Sequence, residues 1–182
     1  MDQNKQKGFT IIELLITVAV MGILVAIAAP SLFGMLEQRK LKGAAENLQV
    51  DLMFIKTESI KRNSNARVQF KFDSVDPSKW CYGMKVNAAC DCFETDSSQA
   101  DYCEIDGVKK VVNQADYGDN VLIKNNDVNF AADLVSFTPL RGQANVGYVE
   151  FSLTGGNDIK VNVNARGRAT ICSDNGMGFA EC

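Results

Sequence analysis

The stretch KGFTIIELLITVAVMGILVAIAAPS runs from Lys7 to Ser31 and decides the architecture of this chain. Glu13 is the only ionisable residue between Phe9 and Leu36, and the rest of that segment is apolar enough to cross a bilayer, which takes about 20 residues. A charge at bilayer depth costs about 2.5 to 3.5 kcal/mol, so an intramembrane carboxylate usually has a functional role. Glu13 therefore needs a counter-charge from elsewhere.

The helical pattern continues beyond the apolar segment. Apolar and small residues recur every three or four positions, with charged and polar residues between them: Leu41, Ala45, Leu48, Leu52, Ile55 and Ser59. The sequence KRNSN at 61–65 supplies turn formers where such a helix should stop. We predict one long helix from Phe9 to Arg62 whose second half has a single apolar face.

After Asn65 the apolar period changes from helical to alternating, which is typical of half-buried strands. We predict strands at 66–72, 80–86, 108–112, 121–123, 134–137, 146–153, 158–163 and 169–173, with a loop over 88–106. The sequence TGGND between two of these strands predicts a hairpin. The fold class is therefore α+β, a long N-terminal helix packed on an antiparallel β-sheet domain.

The charges and the missing histidines exclude several classes of function. Residues 37–182 hold 17 Lys or Arg and 20 Asp or Glu, a net charge of −3, which argues against a general polyanion binder. The chain contains no histidine, which removes the commonest general base, and no phosphate-binding glycine loop follows a strand. We predict a protein that is not an enzyme and has no cofactor.

Six cysteines form two local groups, which are Cys81, Cys90, Cys92 and Cys103 in the middle of the chain and Cys172 and Cys182 at its end. An even count after a membrane segment favours disulfides over a zinc site, because no histidine is present to complete a mixed site. We predict a bridge between Cys172 and Cys182. For the other four we favour Cys81 with Cys90 and Cys92 with Cys103, since joining Cys90 to Cys92 would strain a very small ring.

The loop between Asp91 and Asp106 holds six acidic residues and no basic one. Calcium is the alternative reading of such a loop, but the spacing fits no known calcium loop and a solvated acidic surface is more common. No metal site is predicted.

The N-terminal segment differs from a secretory signal peptide. Lys5 and Lys7 precede the apolar run, which keeps the N-terminus cytoplasmic and places the rest of the chain across the inner membrane. The small residue Gly8 lies before the apolar segment, so cleavage there would release the helix rather than remove it.

The segment KGFTIIELLITVAVMGILVAIAAP resembles the class III leader of type IV pilins and type II secretion pseudopilins. The resemblance implies cleavage after Gly8 by the prepilin peptidase, N-methylation of Phe9, and assembly into a helical fibre by an inner-membrane platform and ATPase. It also implies that Glu13 pairs with the new Phe9 amine of a neighbouring subunit. The alternative is that Glu13 snorkels to the headgroups. Gly22 and Pro30 weaken a helix, and the resemblance makes them candidates for local flexibility, although a membrane helix also tolerates such residues.

A second resemblance lies near the C-terminus. VSFTPLRGQA, followed by YVEFSLTGGNDIKVNVNARGRATICS, is similar to the H-type pseudopilin and FimT/FimU-like minor pilins, whereas the stretch from Asp73 to Asn129 shows no likeness. Some FimT-like members bind DNA through a Gly-Arg-x-Arg motif. Here Gly167 and Arg168 match, Thr170 replaces the second arginine, and Arg166 precedes the motif. On a strand Arg166 and Arg168 would share one face and form a weak DNA site.

These resemblances together imply a minor type IV pilin that primes pilus assembly at or near the tip, with a DNA-binding pilin or a type II secretion pseudopilin as alternatives. The predicted organisation is a leader at 1–8, a transmembrane and assembly helix at 9–36, its amphipathic continuation at 37–65 and a periplasmic disulfide-bonded β domain at 66–182. The expected partners are major and minor pilins, the prepilin peptidase and the assembly platform. The expected location is the inner membrane, then the extracellular pilus.

Overall fold

The computed structural model describes residues 9–123, 127–174 and 177–182, without the side chains of 29–31. The chain divides into two compact units, Met1–Leu36 and Glu37–Cys182. The long helix α1, Ile11–Lys61, contributes residues to both units. This α+β architecture is the one predicted from the sequence, and α1 begins and ends within two residues of the predicted bounds.

The first unit contributes the apolar part of α1. Every described side chain from Phe9 to Leu32 is exposed, and this part of the helix is long and apolar enough to cross a membrane. Within it the Thr17 hydroxyl donates to the Leu14 carbonyl at 2.8 Å, so the polar side chain is satisfied without water.

In the second unit one face of α1 is buried in the core. The six residues that the helical period selected are all fully or almost fully buried: Leu41, Ala45, Leu48, Leu52, Ile55 and Ser59. Burying a Leu or Ile side chain stabilises a fold by about 1.5 to 3 kcal/mol, so this face is a major part of the core of the second unit.

The end of α1 is a Schellman motif. Asn63 has a left-handed φ of 49°, and the Ser64 N–H donates to the Ser59 carbonyl at 3.1 Å. Arg62 also joins the helix end to the following domain, because its guanidinium binds both Glu58 on α1 and Asp106. These contacts with Arg62 lower the pKa of Glu58 and of Asp106. The predicted stop at KRNSN is therefore where the helix ends.

Ten strands follow the helix in the described part of the chain, and all their pairings are antiparallel. Their bounds are β1 Ala66–Phe72, β2 Trp80–Val86, β3 Glu104–Ile105, β4 Val108–Lys109, β5 Val111–Asn113, β6 Val121–Leu122, β7 Leu134–Phe137, β8 Gly147–Leu153, β9 Asp158–Val163 and β10 Ala169–Cys172. Short 3₁₀ helices lie at Gln114–Asp116 and Ala131–Asp133. One sheet has the order β5-β2-β1-β7, another β10-β9-β8-β6, and β3 pairs only with β4.

The predicted strand at 108–112 is wrong, because the chain turns back within it. Asp106 and Gly107 both have positive φ, which is the geometry of a two-residue hairpin turn between β3 and β4. The chain then leaves this hairpin at Lys110 and pairs β5 with β2. The Asp106–Gly107 pair is itself a hairpin signal, and it lies at the end of the loop predicted over 88–106.

Strand β2 is buried on both faces. Trp80, Tyr82 and Met84 point into the main core, whereas Cys81 and Gly83 lie on the opposite face under a cluster of four buried cysteines. A Cβ built on Gly83 would lie 2.1 Å from the Cys103 Sγ atom. The absence of a side chain at Gly83 is thus what lets the disulfides lie flat on the strand.

The structure contains the bridges Cys81–Cys92, Cys90–Cys103 and Cys172–Cys182. The last is the pairing predicted from the sequence, whereas the prediction of Cys81 with Cys90 and Cys92 with Cys103 is wrong. Ring strain excludes only a bridge between Cys90 and Cys92, and it does not distinguish the two pairings that remain. Gly83 leaves room on β2 for the bridge from Cys90 to Cys103, and Cys92 then reaches Cys81 with a Cα–Cα distance of 6.0 Å.

Two polar side chains on α1 bind an aromatic stack in the core. Trp80 stacks on Tyr82 and Tyr117 with ring centroids 6.4 and 6.2 Å apart. The Tyr82 hydroxyl donates to Asp51 at 2.8 Å, and Asn47 donates to the Tyr117 hydroxyl at 2.8 Å. Burial raises the pKa of Asp51, although the hydrogen bond from Tyr82 and the charge of Lys110 oppose that rise.

Because the core cluster and all three disulfides lie within Glu37–Cys182, this unit holds the residues it needs to fold alone, and residues 37–182 make a suitable fragment for stability measurements. We expect Gly83→Ala to destabilise the fragment by about 1 to 3 kcal/mol, the usual cost of overpacking. Urea unfolding measures the change. Gly155→Ala is the control, since a Cβ there meets nothing within 4 Å. Equal unfolding midpoints for the two variants would contradict the tight approach of the disulfide to β2.

Asp51→Asn should make the same fragment more stable than the wild type at neutral pH. A folded-state pKa above the ordinary 3.8 means that ionisation of Asp51 destabilises the fold, and this loss develops as the pH rises through the raised pKa. The difference in unfolding free energy should therefore vanish at pH values below 3.8, where both side chains are neutral. Tyr82→Phe removes the hydrogen bond that favours the charged form, so Asp51→Asn should gain more stability in that background. If the difference in unfolding free energy between Asp51→Asn and wild type did not change with pH, the raised pKa of Asp51 would be contradicted.

Candidate functional site

The first candidate site is the N-terminal end of α1. Thr10 precedes the helix and accepts a hydrogen bond from the Glu13 N–H at 3.3 Å. This places Thr10 at the N-cap and Glu13 at the third helical position, where Thr-x-x-Glu is the capping-box pattern. Gly8, the predicted cleavage residue, lies outside the described residues.

The Glu13 side chain is exposed and surrounded along the helix by exposed apolar residues, among them Phe9 and Ile12. Within the described residues no basic side chain forms an ion pair with Glu13. A carboxylate at the start of a helix interacts favourably with the helix dipole, typically by about 0.3 to 1 kcal/mol. The arrangement is that of a single negative charge at one end of a surface suited to lipid.

The predicted flexibility at Gly22 and Pro30 is not tested by this structure. The helix is continuous from Ile11 to Lys61, and a Cβ on Gly22 would meet nothing within 4 Å. The side chain of Pro30 lies outside the described part of the chain. Both residues stay predictions.

The second candidate site is a groove of about 650 Å³ between α1 and the turn that joins β9 to β10. We call it the basic groove, and its lining residues are Gln49, Met53, Lys56, Thr57, Asn164, Arg166, Gly167, Arg168 and Ala169. Three of these side chains are cationic at neutral pH and none is acidic. The groove therefore favours an anionic ligand, although the chain as a whole is acidic.

Arg166 and Arg168 do line one groove, but their predicted placement on a strand is wrong. They lie in the turn before β10, and Gly167 between them has a φ of 65°. A Cβ on Gly167 would come within 2.1 Å of the Gly142 carbonyl oxygen, so only glycine fits there. The turn geometry, and not strand alternation, exposes both arginines at this groove.

Three hydrogen-bonding side chains hold this turn in place. The Asn164 Oδ1 atom accepts from the N–H groups of both Arg166 and Arg168 at 3.0 Å. From α1, Lys56 donates to the Arg166 carbonyl at 2.9 Å and Gln49 donates to the Ala169 carbonyl at 3.0 Å. These contacts were not predicted from the sequence, because the helix and the turn lie 110 to 120 residues apart along the chain. The only sequence signal for these contacts is that Gln49 and Lys56 lie on α1 beside its buried face, where side chains can reach the β domain.

The acidic loop provides no cluster of ligands within its described residues. Asp91 forms an ion pair with Lys71 at 2.7 Å, Asp106 binds Arg62, and Asp96 accepts from the Ser98 N–H in its own turn. Among the described residues, no group of three or more His, Cys, Asp or Glu is placed to hold a metal ion. The carboxylates instead fix local turns and join the loop to neighbouring elements.

Two family models match this chain. The prokaryotic N-terminal methylation motif matches residues 3–29, the segment that contains Gly8, Phe9 and Glu13. The model described as type II transport protein GspH matches residues 44–167, more than half of the chain. This chain belongs to the GspH family, within the type IV pilin and pseudopilin superfamily. No curated protein and no solved structure matches it.

Membership in the GspH family covers more of the chain than the resemblance seen in the sequence. Its match includes the stretch from Asp73 to Asn129, whose motifs resemble no family in the sequence analysis. Pilins and pseudopilins are structural subunits that associate with other pilins, are processed by the prepilin peptidase and are not enzymes. The methylation motif together with the exposed apolar helix indicates membrane anchoring. The finer FimT/FimU-like assignment stays a prediction.

Proposed function

We propose that this chain is a minor type IV pilin that primes assembly at or near the pilus tip after cleavage between Gly8 and Phe9. The observation that carries the proposal is that Glu13 is the only ionisable residue between Phe9 and Leu36, in the exposed and apolar part of α1. Cleavage creates an α-amino group on Phe9, which is to be N-methylated and stays cationic. That cation lies in the same apolar layer as Glu13.

Pairing between subunits would supply Glu13 with a counter-charge, since none is paired with it among the residues that the structure describes. The Phe9 amine and Glu13 of one chain lie four residues apart, and the Glu13 backbone N–H donates to the Thr10 hydroxyl in the first helical turn. A neighbouring subunit displaced along the fibre axis places its Phe9 amine beside the carboxylate. In a medium of low dielectric constant such a pair attracts strongly, whereas an unpaired member is penalised. Assembly thereby becomes the favourable route out of the lipid.

The charges and disulfides support the proposed topology. Lys5 and Lys7 favour a cytoplasmic N-terminus, and three disulfides require an oxidising space for the domain that follows the helix. We therefore place residues 37–182 in the periplasm before assembly and on the pilus afterwards. A type II secretion pseudopilus is the alternative, favoured by the description of the family model. Neighbouring genes for a secretin and secretion components, rather than a pilus adhesin, would select it.

DNA binding is the second candidate function, and the basic groove is the observation that favours it. Arg166 and Arg168 are exposed, and in the described part of the chain neither forms an ion pair. Lys56 adds a third cation, and Met53 adds an apolar surface, 58% exposed. Three cations favour a phosphate backbone, but the net charge of the chain keeps the expected affinity low and strongly dependent on salt.

Glu13→Gln should abolish incorporation into fibres while leaving leader cleavage intact. Glutamine is also accepted at the third position of a capping box, so this variant keeps the helix start and removes only the charge. Immunoblotting of sheared fibres and of membranes, in cells that express the variant at the wild-type level, measures the distribution. Thr10→Val is the matched control, because it removes the cap and keeps the carboxylate. Normal incorporation of the Glu13→Gln variant would refute the pairing role.

For DNA, the double variant Arg166→Ala and Arg168→Ala of residues 37–182 should bind a duplex oligonucleotide more weakly than wild type at low salt. Each phosphate contact that is lost should reduce the magnitude of the negative slope of log K against log salt by about 1. The control is Lys79→Ala with Lys109→Ala, which removes the same charge outside the groove. Fluorescence anisotropy over a range of salt gives both quantities. Equal binding by the two double variants, or none by the wild type, would reject this second function.

A further inference from the structure

A second groove lies on the outer face of the sheet formed by β8, β9 and β10. Tyr148, Asn162 and Thr170 are register partners on these three strands, so their side chains form one row across the sheet. The depression has a volume of about 380 Å³. We call it the Tyr148 groove, and its side-chain lining comes from Asn129, Val146, Tyr148, Asn162, Asn164 and Thr170.

The amide groups of this groove have fixed orientations. The Asn164 Oδ1 atom already accepts two backbone N–H groups, which leaves its Nδ2 atom free to donate. The Asn162 Nδ2 atom lies 3.1 Å from the Cys172 Sγ atom and donates to it, which leaves the Asn162 Oδ1 atom free to accept. The Asn162 amide on β9 and the Asn164 amide just after it thus leave one acceptor and one donor unused in the lining of this groove.

One wall of the groove is positioned by the backbone. The Asn129 N–H donates to the Tyr148 carbonyl at 2.8 Å, and a Cβ on Gly147 would lie 2.2 Å from the Asn129 carbonyl oxygen. Only glycine at 147 therefore allows the segment that carries Asn129 to approach β8 so closely. Such a wall needs no rearrangement on binding, which lowers the entropic cost of association.

The chemistry of the lining selects the ligand. None of these six lining side chains is charged at neutral pH. The Lys160 Nζ atom lies over the Tyr148 ring, 5.8 Å from its centroid, but it is already paired with Glu150 at 3.5 Å. A charged ligand would therefore lose water here without gaining an unpaired counter-charge. Val146 is 68% exposed and Tyr148 offers an aromatic ring, while the hydroxyls of Tyr148 and Thr170 make no hydrogen bond within the described residues. An apolar ring beside several unused donors and acceptors matches a sugar, whose C–H face is apolar and whose hydroxyls both donate and accept.

We infer that the Tyr148 groove binds a neutral saccharide, with a sugar ring against Tyr148 and adjacent hydroxyls on Asn162 and Asn164. This is a binding function of the domain itself and does not depend on the role in fibre assembly or on the basic groove. The shallow site and its few contacts correspond to a dissociation constant in the range of about 1 mM.

The test is an NMR titration of isotopically labelled residues 37–182 with neutral sugars: glucose, galactose, mannose, N-acetylglucosamine and their common disaccharides. We expect at least one sugar to shift the amide resonances of residues 129, 146–148, 162–164 and 170 with saturation at millimolar concentration. Sialic acid and a single-stranded oligonucleotide are the anionic probes. Failure of every neutral sugar to shift these resonances, or saturation by the oligonucleotide alone, would overturn the inference.

Variants give a second readout. Tyr148→Leu keeps an apolar strand residue but removes the ring, and it should weaken sugar binding at least about tenfold, the equivalent of 1.4 kcal/mol. Thr170→Val changes an exposed side chain at nearly constant volume and should weaken binding about two- to threefold, since one hydrogen bond is removed. Thr154→Val, in the exposed turn after β8, is the matched control and should bind as wild type. Thr170→Val serves if Tyr148→Leu does not fold. Unchanged affinity in a folded Tyr148→Leu, or in Thr170→Val, would also overturn the inference.

Discussion

The packing of one face of α1 against the β domain is the interaction on which the second unit depends. Leu41, Leu48 and Ile55 place this helix face in the same core as the strands, and no described side chain from the first unit belongs to that core. The same helix carries Gln49 and Lys56 beside its buried face, where they bind the carbonyls of the turn before β10. Core packing therefore also sets the geometry of the basic groove, because the turn is held by residues whose positions the core has already fixed.

The sequence predicted those elements whose physical cause is local. The change of apolar period at Asn65 located the end of α1 and the start of β1, and alternation gave β1, β2, β7 and β9 with the bounds that the structure has. The disulfide error concerns partners chosen by the tertiary fold. The spacing of Cys90 and Cys92 does not predict which of the two cysteines bonds to Cys81. That choice follows from the empty space over Gly83. The other two errors are local turns, at Asp106–Gly107 and at Gly167, where strands were predicted beside or across them.

The two grooves differ in charge, although they share Asn164. In the basic groove, the backbone N–H groups of Arg166 and Arg168 donate to the Asn164 Oδ1 atom, and the lining includes no acid among the described residues. The lining of the Tyr148 groove is neutral and includes an aromatic ring. The sequence identified the arginines through a motif, but it offered no motif for the neutral groove, whose residues come together only through the register of β8, β9 and β10.

Two roles for Glu13 can be compared by magnitude. As a residue of the first helical turn it gains about 0.3 to 1 kcal/mol from the helix dipole. A carboxylate at bilayer depth costs about 2.5 to 3.5 kcal/mol, which is several times more. The free energy gained at the helix start therefore does not offset the cost of a charge in an apolar surface. Glutamine would also fit the capping box, without that cost. In the proposed role this difference is the free energy that a cationic partner would supply, and a free amine on Phe9 of an adjacent subunit is the cation that leader cleavage would provide in the same layer.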